Sequence, residues 1–322
     1  MDVVSELLST VRLTGGGFLR ADLHAPFAVE TMNGRDTCHA FGRDFGQVIP
    51  YHVVTRGDCW VRVHGEPPVH VRCGTVLLLP RGEAHVLASS SDARPVPVRA
   101  LMPSHITRNP IVLSLPGGGA HTQLICGYLA CDSRPWNPLL EALPRLMAIE
   151  LGDGAIFSWV SSSFEYALLE SDSPRVGTDS QLARVSELPF VEALRRYLDQ
   201  MPAGTAGWLA ALKDRHVGPA IARLHADPAR NWTVADLASA VGLSRSAFAQ
   251  RFQEKAGLPP LEYLTRWRMQ VAARLLRETA QTVLSIALET GYQSDAAFIR
   301  AFRREFGTTP SRWRRSPQAG PA

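Results

Sequence analysis

The spacing of apolar positions changes character along the chain. Residues 1–16 carry apolar side chains at helical spacing and end at Gly15-Gly16-Gly17, which predicts a short amphipathic helix. From about residue 18 to residue 130 the period shortens to that of strands. HVVTRG, CWVRVHG, HVRCG, TVLLLP and HVLASS are short β-type runs punctuated by Gly57, Gly65, Gly74 and Gly82, a pattern that suggests a sandwich or barrel. Around 136–216 the i, i+3, i+4 period of helices takes over in PLLEALPRLMAIE, IFSWVSSSFEYALLE, LPFVEALRRYLDQ and GWLAALKDR. A polar loop, SDSPRVGTDSQ, separates the second from the third. Shorter helices follow from about residue 217, and SPQAGPA reads as a frayed tail.

Within the last hundred residues one pattern is written twice. LASAVGLSRSAFAQRFQEKAGLPPLEYL spans 237–264 and IALETGYQSDAAFIRAFRREFGTTPSRW spans 286–313. Gly242 matches Gly291, Phe252 matches Phe302, Gly257 matches Gly307 and Pro260 matches Pro310, with one extra residue in the second turn. In the first copy Asn231 or Thr233 caps a helix that runs to Val241, and Gly242 permits a tight turn. Ser244 then caps a second helix that stops at Gly257. Ala247, Phe248, Phe252 and Ala256 are expected inside; Arg245, Ser246, Ala249, Gln250 and Gln253 are expected outside. In the second copy Ser294 caps, Phe298 and Phe302 pack, and Asp295, Ala296, Ile299, Arg300 and Arg303 face outward. Pro260 to Glu278 form one longer amphipathic helix between the copies.

Two short helices joined by a glycine turn are a means of delivering a helix to the major groove of double-stranded DNA. Two copies predict recognition helices in successive grooves, about 34–36 Å apart. Arg300 suits guanine edges and Gln250 adenine edges. Arg251, Arg266, Arg268, Arg303 and Arg304 suit phosphates, which give affinity and salt dependence rather than sequence discrimination. The plainer reading of any one of these arginines is a solvated surface residue.

Charge changes this picture in one respect. The chain has a net charge of +4, but residues 217–322 hold 15 Arg and Lys against 8 Asp and Glu, a net +7, leaving a net −3 on the first 216. The positive excess lies with the repeated motif, as phosphate contact requires. No run approaches the ~20 apolar residues of a membrane span. The N-terminus has no basic stretch followed by an apolar one, and five cysteines are too few and too odd for a disulfide framework. The expected setting is a reducing cytoplasm, with no membrane partner.

Residues 217–316 resemble the DNA-binding domain of the AraC-type (arabinose-regulator) family of transcription factors. The resemblance rests on Leu237-Ala238, Gly242, Ser244, Phe248, Phe252, Gly257, Pro260, Arg268, Ala272, Leu275-Leu276 and Ile286-Ala287. It continues through Gly291-Tyr292, Ser294, Phe298, Phe302, Phe306-Gly307, Thr309-Pro310 and Trp313-Arg314. It implies base contacts from Ser246, Ala249 and Gln250 in the first unit and from Asp295, Ala296, Ile299 and Arg300 in the second. Ala249 and Ala296 are short enough to offer only thymine-methyl or packing contacts. Asp295 repels phosphate unless it accepts from cytosine.

Gly74-x5-Pro80-x-Gly82-x2-His85 is similar to the second signature of the cupin barrel, followed here by Ser89. The first signature is degraded to His52, five residues before Gly57. Residues 18–135 thus resemble the cupin-type sensor that AraC-type regulators carry. Two imidazoles, His52 and His85, with a Cys126 thiolate from a late strand would suit Zn²⁺ or another divalent metal. The same positions also read as core histidines and a small buried hydrophobe. Cys126 and Cys131 would serve an oxidant sensor only as exposed, low-pKa thiolates. An organic ligand in the barrel is the default, since small barrels hold one small ligand.

The resulting expectation is an α+β chain. A cupin-like sensor covers 1–135, a helical linker and dimerisation region 136–216, a double helix-turn-helix domain 217–316, and a tail 317–322. The resemblance also implies a homodimer, its seam expected within Leu188 to Leu212 along Phe190, Leu194, Tyr197 and Leu198, with packing inside the subunit as the alternative. The expected function is transcription regulation controlled by a small molecule, metal or oxidant, with RNA polymerase as a further partner and no enzyme activity. Its rivals are a cupin metalloenzyme of dioxygenase or isomerase type fused to a DNA-binding domain, and an architectural DNA-binding protein.

Overall fold

A computed structural model describes residues 3, 14–40, 47–102, 111–131, 136, 138–152, 154–172, 178–202 and 207–315. The expected tail at 317–322 lies outside them, as does nearly all of the helix expected over 1–16. Val3 is helical, but the next described stretch, from Thr14, is already a strand. The glycines expected to end a helix instead carry an irregularity in strand pairing between Gly15 and Phe18.

The chain divides into two units, Leu13–Ser133 with Leu143–Gln200, and Arg134–Ala142 with Met201–Gln318. The first is built from β1 (Thr14–His24), β2 (Ala28–Glu30), α1 (Gly34–Ala40), β3 (Gln47–Arg56), β4 (Asp58–Val63), β5 (Val69–Arg72), β6 (Thr75–Leu78), β7 (His85–Ala88), β8 (Val96–Pro97), β9 (Ile111–Leu115) and β10 (His121–Cys131). After α2 (Pro138–Ala142), which belongs to the other unit, come β11 (Met147–Glu150), α3 (Ala155–Asp172) and α4 (Thr178–Gln200). The strands form two sheets, ordered β11-β6-β3-β10-β1-β9 and β5-β4-β7-β2-β8.

Burial explains the strand patterns. β4 alternates, with Cys59, Val61 and Val63 buried and the residues between them more exposed, so one face meets the core. β3 is buried on both faces from Val48 to Val54. Val54 joins the barrel core with Leu23, Leu77, Leu124 and Cys126. Tyr51, of opposite parity, has its ring 6.0 Å from that of Phe164 on α3. His52 shares the parity of Val54 and therefore faces the interior. Gly82 closes the turn before β7 at φ 68°, and a Cβ there would stand 2.6 Å from the Val48 carbonyl oxygen.

Two expectations for the middle of the chain are corrected. MAIE, expected as the end of a helix, is β11 and pairs antiparallel with β6, Met147 opposite Leu78 and Glu150 opposite Thr75. The sheet therefore continues past residue 135. The stripe expected as a homodimer seam is largely used within the subunit: Phe190 and Leu194 have no exposed surface and pack in the same unit as the sheets. Tyr197 and Leu198 are half-buried. The large exposed apolar side chains of this unit's helices lie instead on α3, at Ile156, Trp159, Tyr166 and Leu169.

The second unit continues with α5 (Trp208–Lys213), α6 (Val217–Ala226), α7 (Val234–Ala240), α8 (Arg245–Ala256), α9 (Pro260–Glu278), α10 (Val283–Glu289), α11 (Asp295–Phe306) and α12 (Pro310–Arg315). α9 has the bounds its periodicity predicts. Its buried Trp267 stacks on the His225 ring of α6 at 3.8 Å, and its Tyr263 lies 5.7 Å from Phe252 of α8. Trp136, from the segment expected to be linker, joins them at 5.3 Å from Tyr263. Farther along, α9 buries Met269, Ala272 and Leu276 against Phe298, Phe302 and Trp313 of the second copy. Each fully buried phenylalanine contributes roughly 1.5–3 kcal/mol of hydrophobic stabilisation. Among the described residues no helix is long and apolar enough to cross a membrane.

Candidate nucleic-acid interface and barrel cavity

Each copy of the repeated motif is positioned by its caps. Thr233 accepts from the Asp236 N–H, and Asp236 returns the bond to the Thr233 backbone, a capping box that starts α7. Ser244 accepts from the Ala247 N–H to start α8. In the second copy Thr282 and Ser294 cap α10 and α11 in the same way. Gly257 and Gly307 end α8 and α11 in the left-handed conformation, at φ 78° and 68°. The second turn has the extra residue that the sequence shows.

On α8, Ser246 and Gln250 are exposed and Ala249 is half-buried; Ala247, expected inside, is exposed. The Gln250 side-chain amide donates to Glu254 at 2.8 Å. On α11, Asp295, Ala296 and Arg300 are exposed, while Ile299 packs partly against the phenylalanine cluster. Asp295 accepts from the Ala296 N–H at 2.7 Å, a local use of its charge at the positive end of the helix.

The arginines separate into two groups. Arg300, Arg303 and Arg304 are exposed, and among the described residues no hydrogen bond or ion pair engages their side chains. Arg251 and Arg268, expected at phosphates, are bonded within the unit, Arg251 with part of its side chain still exposed. Arg251 donates to both carboxylate oxygens of Asp214, at 3.1 and 2.7 Å. Asp214 also accepts the N–H groups of His216 and Val217 at 3.0 Å, and these bonds hold its carboxyl well below the usual carboxylate range. Arg268 donates to the carbonyls of Pro228 and Arg230 at 2.7 and 2.9 Å and pins the loop before α7. Arg266 is intermediate: it donates to Glu262 at 3.0 Å, one turn earlier, and remains half-buried. Asp214 is the residue that sequence reasoning missed; it stands 37 residues from its partner, and no local pattern announces such a pair.

In the barrel the register brings His52 of β3 opposite Cys126 of β10. Both line a cavity of about 100 Å³ with His85, and its walls are otherwise mainly aliphatic, including Leu23, Leu87, Leu113 and Met102. His52 Nε2 lies 2.6 Å from His85 Nε2. His85 Nδ1 lies 2.9 Å from Thr31 Oγ1 and 3.0 Å from the Glu83 carbonyl oxygen. Thr31 is 54 residues away in sequence and was not expected. Burial disfavours the imidazolium, lowering His85 to about 4 and His52 well below its ordinary value, so both rings are neutral.

These residues do not fit the metal site expected of them. Two nitrogens bound to one tetrahedral Zn²⁺ stand about 3.3 Å apart, whereas the two Nε2 atoms are in direct hydrogen-bond contact. Burial pushes the Cys126 thiol up, away from the thiolate that binds metal. Among the described residues no cluster of three or more His, Cys, Asp or Glu is placed to hold an ion. The oxidant-sensing role fails at Cys126 for the same reason, because redox-sensing thiols are exposed and low in pKa. The Cys131 side chain lies outside what is described. Cys59 is also buried, its thiol pushed up to about 12.

Comparison with known proteins gives consistent matches in both units. The family described as Cupin matches residues 2–199, and the one described as Helix-turn-helix domain matches residues 237–316. A putative AraC-like transcription regulator of Streptomyces lividans is 34% identical over 85% of this chain and 89% of its own. The HTH-type transcriptional regulator MtrA of Neisseria gonorrhoeae is 26% identical over 98% of both chains. Among solved structures, the DNA-binding domain of AdpA in complex with a target DNA is 30% identical, covering 31% of this chain and 90% of that one, with a TM-score of 0.30.

Proposed function

Because this chain belongs to the AraC-like transcription regulators, with an N-terminal cupin domain and a C-terminal helix-turn-helix domain, we propose that an effector held in its barrel controls which DNA sequences it occupies. The observation that carries this reading is the second recognition helix. α11 presents Arg300, Arg303 and Arg304 to solvent, whereas Arg251 of α8 is bonded to Asp214 and Arg268 of α9 to backbone carbonyls.

In this reading Arg300 reads a base edge, with Ser246, Ala249, Gln250, Asp295, Ala296 and Ile299 as the remaining base-facing positions. Arg303 and Arg304, with Arg266, neutralise phosphates. An effector acts only through different affinities for two arrangements of the protein. The mainly apolar, partly open cavity with a buried histidine pair has the character of a small-molecule site. A homodimer and RNA polymerase are the protein partners of this reading. The metalloenzyme reading is the weaker one, because a catalytic metal needs three or more protein ligands and an open position.

The test is selection of bound duplexes from a random pool by the full chain at fixed salt. The expected product is a motif with two half-sites one helical turn apart, about 10–10.5 base pairs. Equal retention of all sequences would make the protein architectural and end this reading.

A further inference from the structure

We propose that the barrel cavity is built for a small neutral hydroxy compound about the size of phenol, whose O–H donates to Nδ1 of His52; this rests on the effector reading above. The argument is a chain of proton positions. The Glu83 carbonyl oxygen only accepts, so His85 Nδ1, 3.0 Å away, carries a proton. Thr31 agrees with this: its hydroxyl donates to the His85 carbonyl at 3.0 Å and accepts from the His85 N–H at 3.1 Å. A neutral ring protonated at Nδ1 has a bare Nε2. That nitrogen lies 2.6 Å from His52 Nε2, which therefore carries the proton between them. A neutral His52 protonated at Nε2 has a bare Nδ1. This atom is buried, in a side chain that lines the cavity, and among the described residues no group bonds it.

A buried acceptor without a donor is costly, so the missing partner is a hydrogen-bond donor. A carboxylate would set lone pairs against a lone pair. Among the described residues no Asp, Glu, Lys or Arg lines the cavity, so a charge of either sign would meet no opposite charge on those walls. The cavity, about 100 Å³ and partly open, is of the same order as the roughly 150 Å³ engineered cavity that takes benzene. One ring or a short chain therefore sets the scale, with aliphatic and Met side chains around it.

Phenol and toluene differ by O–H against CH₃ at nearly constant shape, and benzoate adds the anion. Calorimetric titration of the full chain is expected to show phenol binding at least about tenfold more tightly than toluene, with benzoate not binding. His52→Phe removes the preference and His52→Gln, which keeps an acceptor and a donor, restores it. Should those variants misfold, nitrogen NMR of the wild-type histidines reads the same chain directly: a bare Nδ1 at His52 whose resonance moves with phenol, and a protonated Nδ1 at His85. Equal binding of phenol and toluene, preference for benzoate, no binding of any of the three, or a proton on His52 Nδ1 would overturn the proposal. Phenol binding that leaves DNA affinity unchanged keeps this inference and breaks the effector reading. A different compound that changes DNA affinity, while phenol and toluene bind alike, does the reverse.

Discussion

Thr233 and Thr282 cap helices of seven residues, and Ser244 and Ser294 cap helices of twelve. Phe248 and Phe252 pack in the first unit as Phe298 and Phe302 do in the second, both pairs without exposed surface. Their outward faces differ. α8 offers Ser246, Ala249 and a Gln250 already bonded to Glu254, and its Arg251 is clamped by Asp214. α11 offers three exposed arginines and an acid at its first turn. The skeleton is thus specified by caps, turn glycines and phenylalanines, while the surface that meets DNA varies separately. The second unit carries more of the uncommitted positive charge.

The largest expected difference between the units is in their turns. Gly242 and Gly291 both sit at positive φ, 70° and 82°. A Cβ at 242 would enter open space, whereas at 291 it would stand 2.6 Å from both the Ala229 carbonyl oxygen and the Arg268 Nη2. Gly242→Ala should therefore cost about 1–2 kcal/mol, the left-handed strain alone. Gly291→Ala should cost about 2–4 kcal/mol, because backbone must also move. Urea unfolding of the two variants checks this, and equal costs would break the claim that the second turn is the more constrained.

At the DNA surface, Arg300→Ala should cost about 1–3 kcal/mol at the preferred site and relax specificity at one position. Gln250→Ala should cost less, because its amide must first leave Glu254. Binding selections with each variant compare the two profiles directly. An unchanged profile for Arg300→Ala would remove base reading from α11.

How far the sequence carried this comparison depends on the range of each interaction. The caps, glycines and helix α9 were legible because their signals lie within a few residues, and period and cap agree. β11 was not: four residues after a short helix read alike as helix or strand, and only pairing with β6 decides. An amphipathic stripe records that one face is covered and not what covers it, which is why Phe190 and Leu194 read as a seam between copies. The same limit hid Asp214 behind Arg251 and Thr31 behind His85, at separations of 37 and 54 residues. The cupin signature brought His52 and His85 into the barrel correctly but gave no sign that they would bond each other.

The finest contrast is between two arginines on equivalent helices. Arg303 is exposed and uncommitted, so Arg303→Ala should weaken binding uniformly across sequences and reduce the salt slope by about 1. Arg251 is held by Asp214, so Arg251→Ala should leave the slope unchanged and lower the unfolding midpoint of the helical unit. Acid distinguishes this from a general weakening. The folded carboxyl of Asp214 lies below its ordinary value of 3.8, so the unfolded chain takes up the proton first as pH falls. The stabilisation is full above that value and is lost below it. The midpoint difference between wild type and Arg251→Ala should therefore be constant near neutrality and shrink below about pH 3.8. A salt slope that falls in Arg251→Ala, with a midpoint difference indifferent to acid, would return Arg251 to the phosphate surface and make the two recognition helices electrostatically alike.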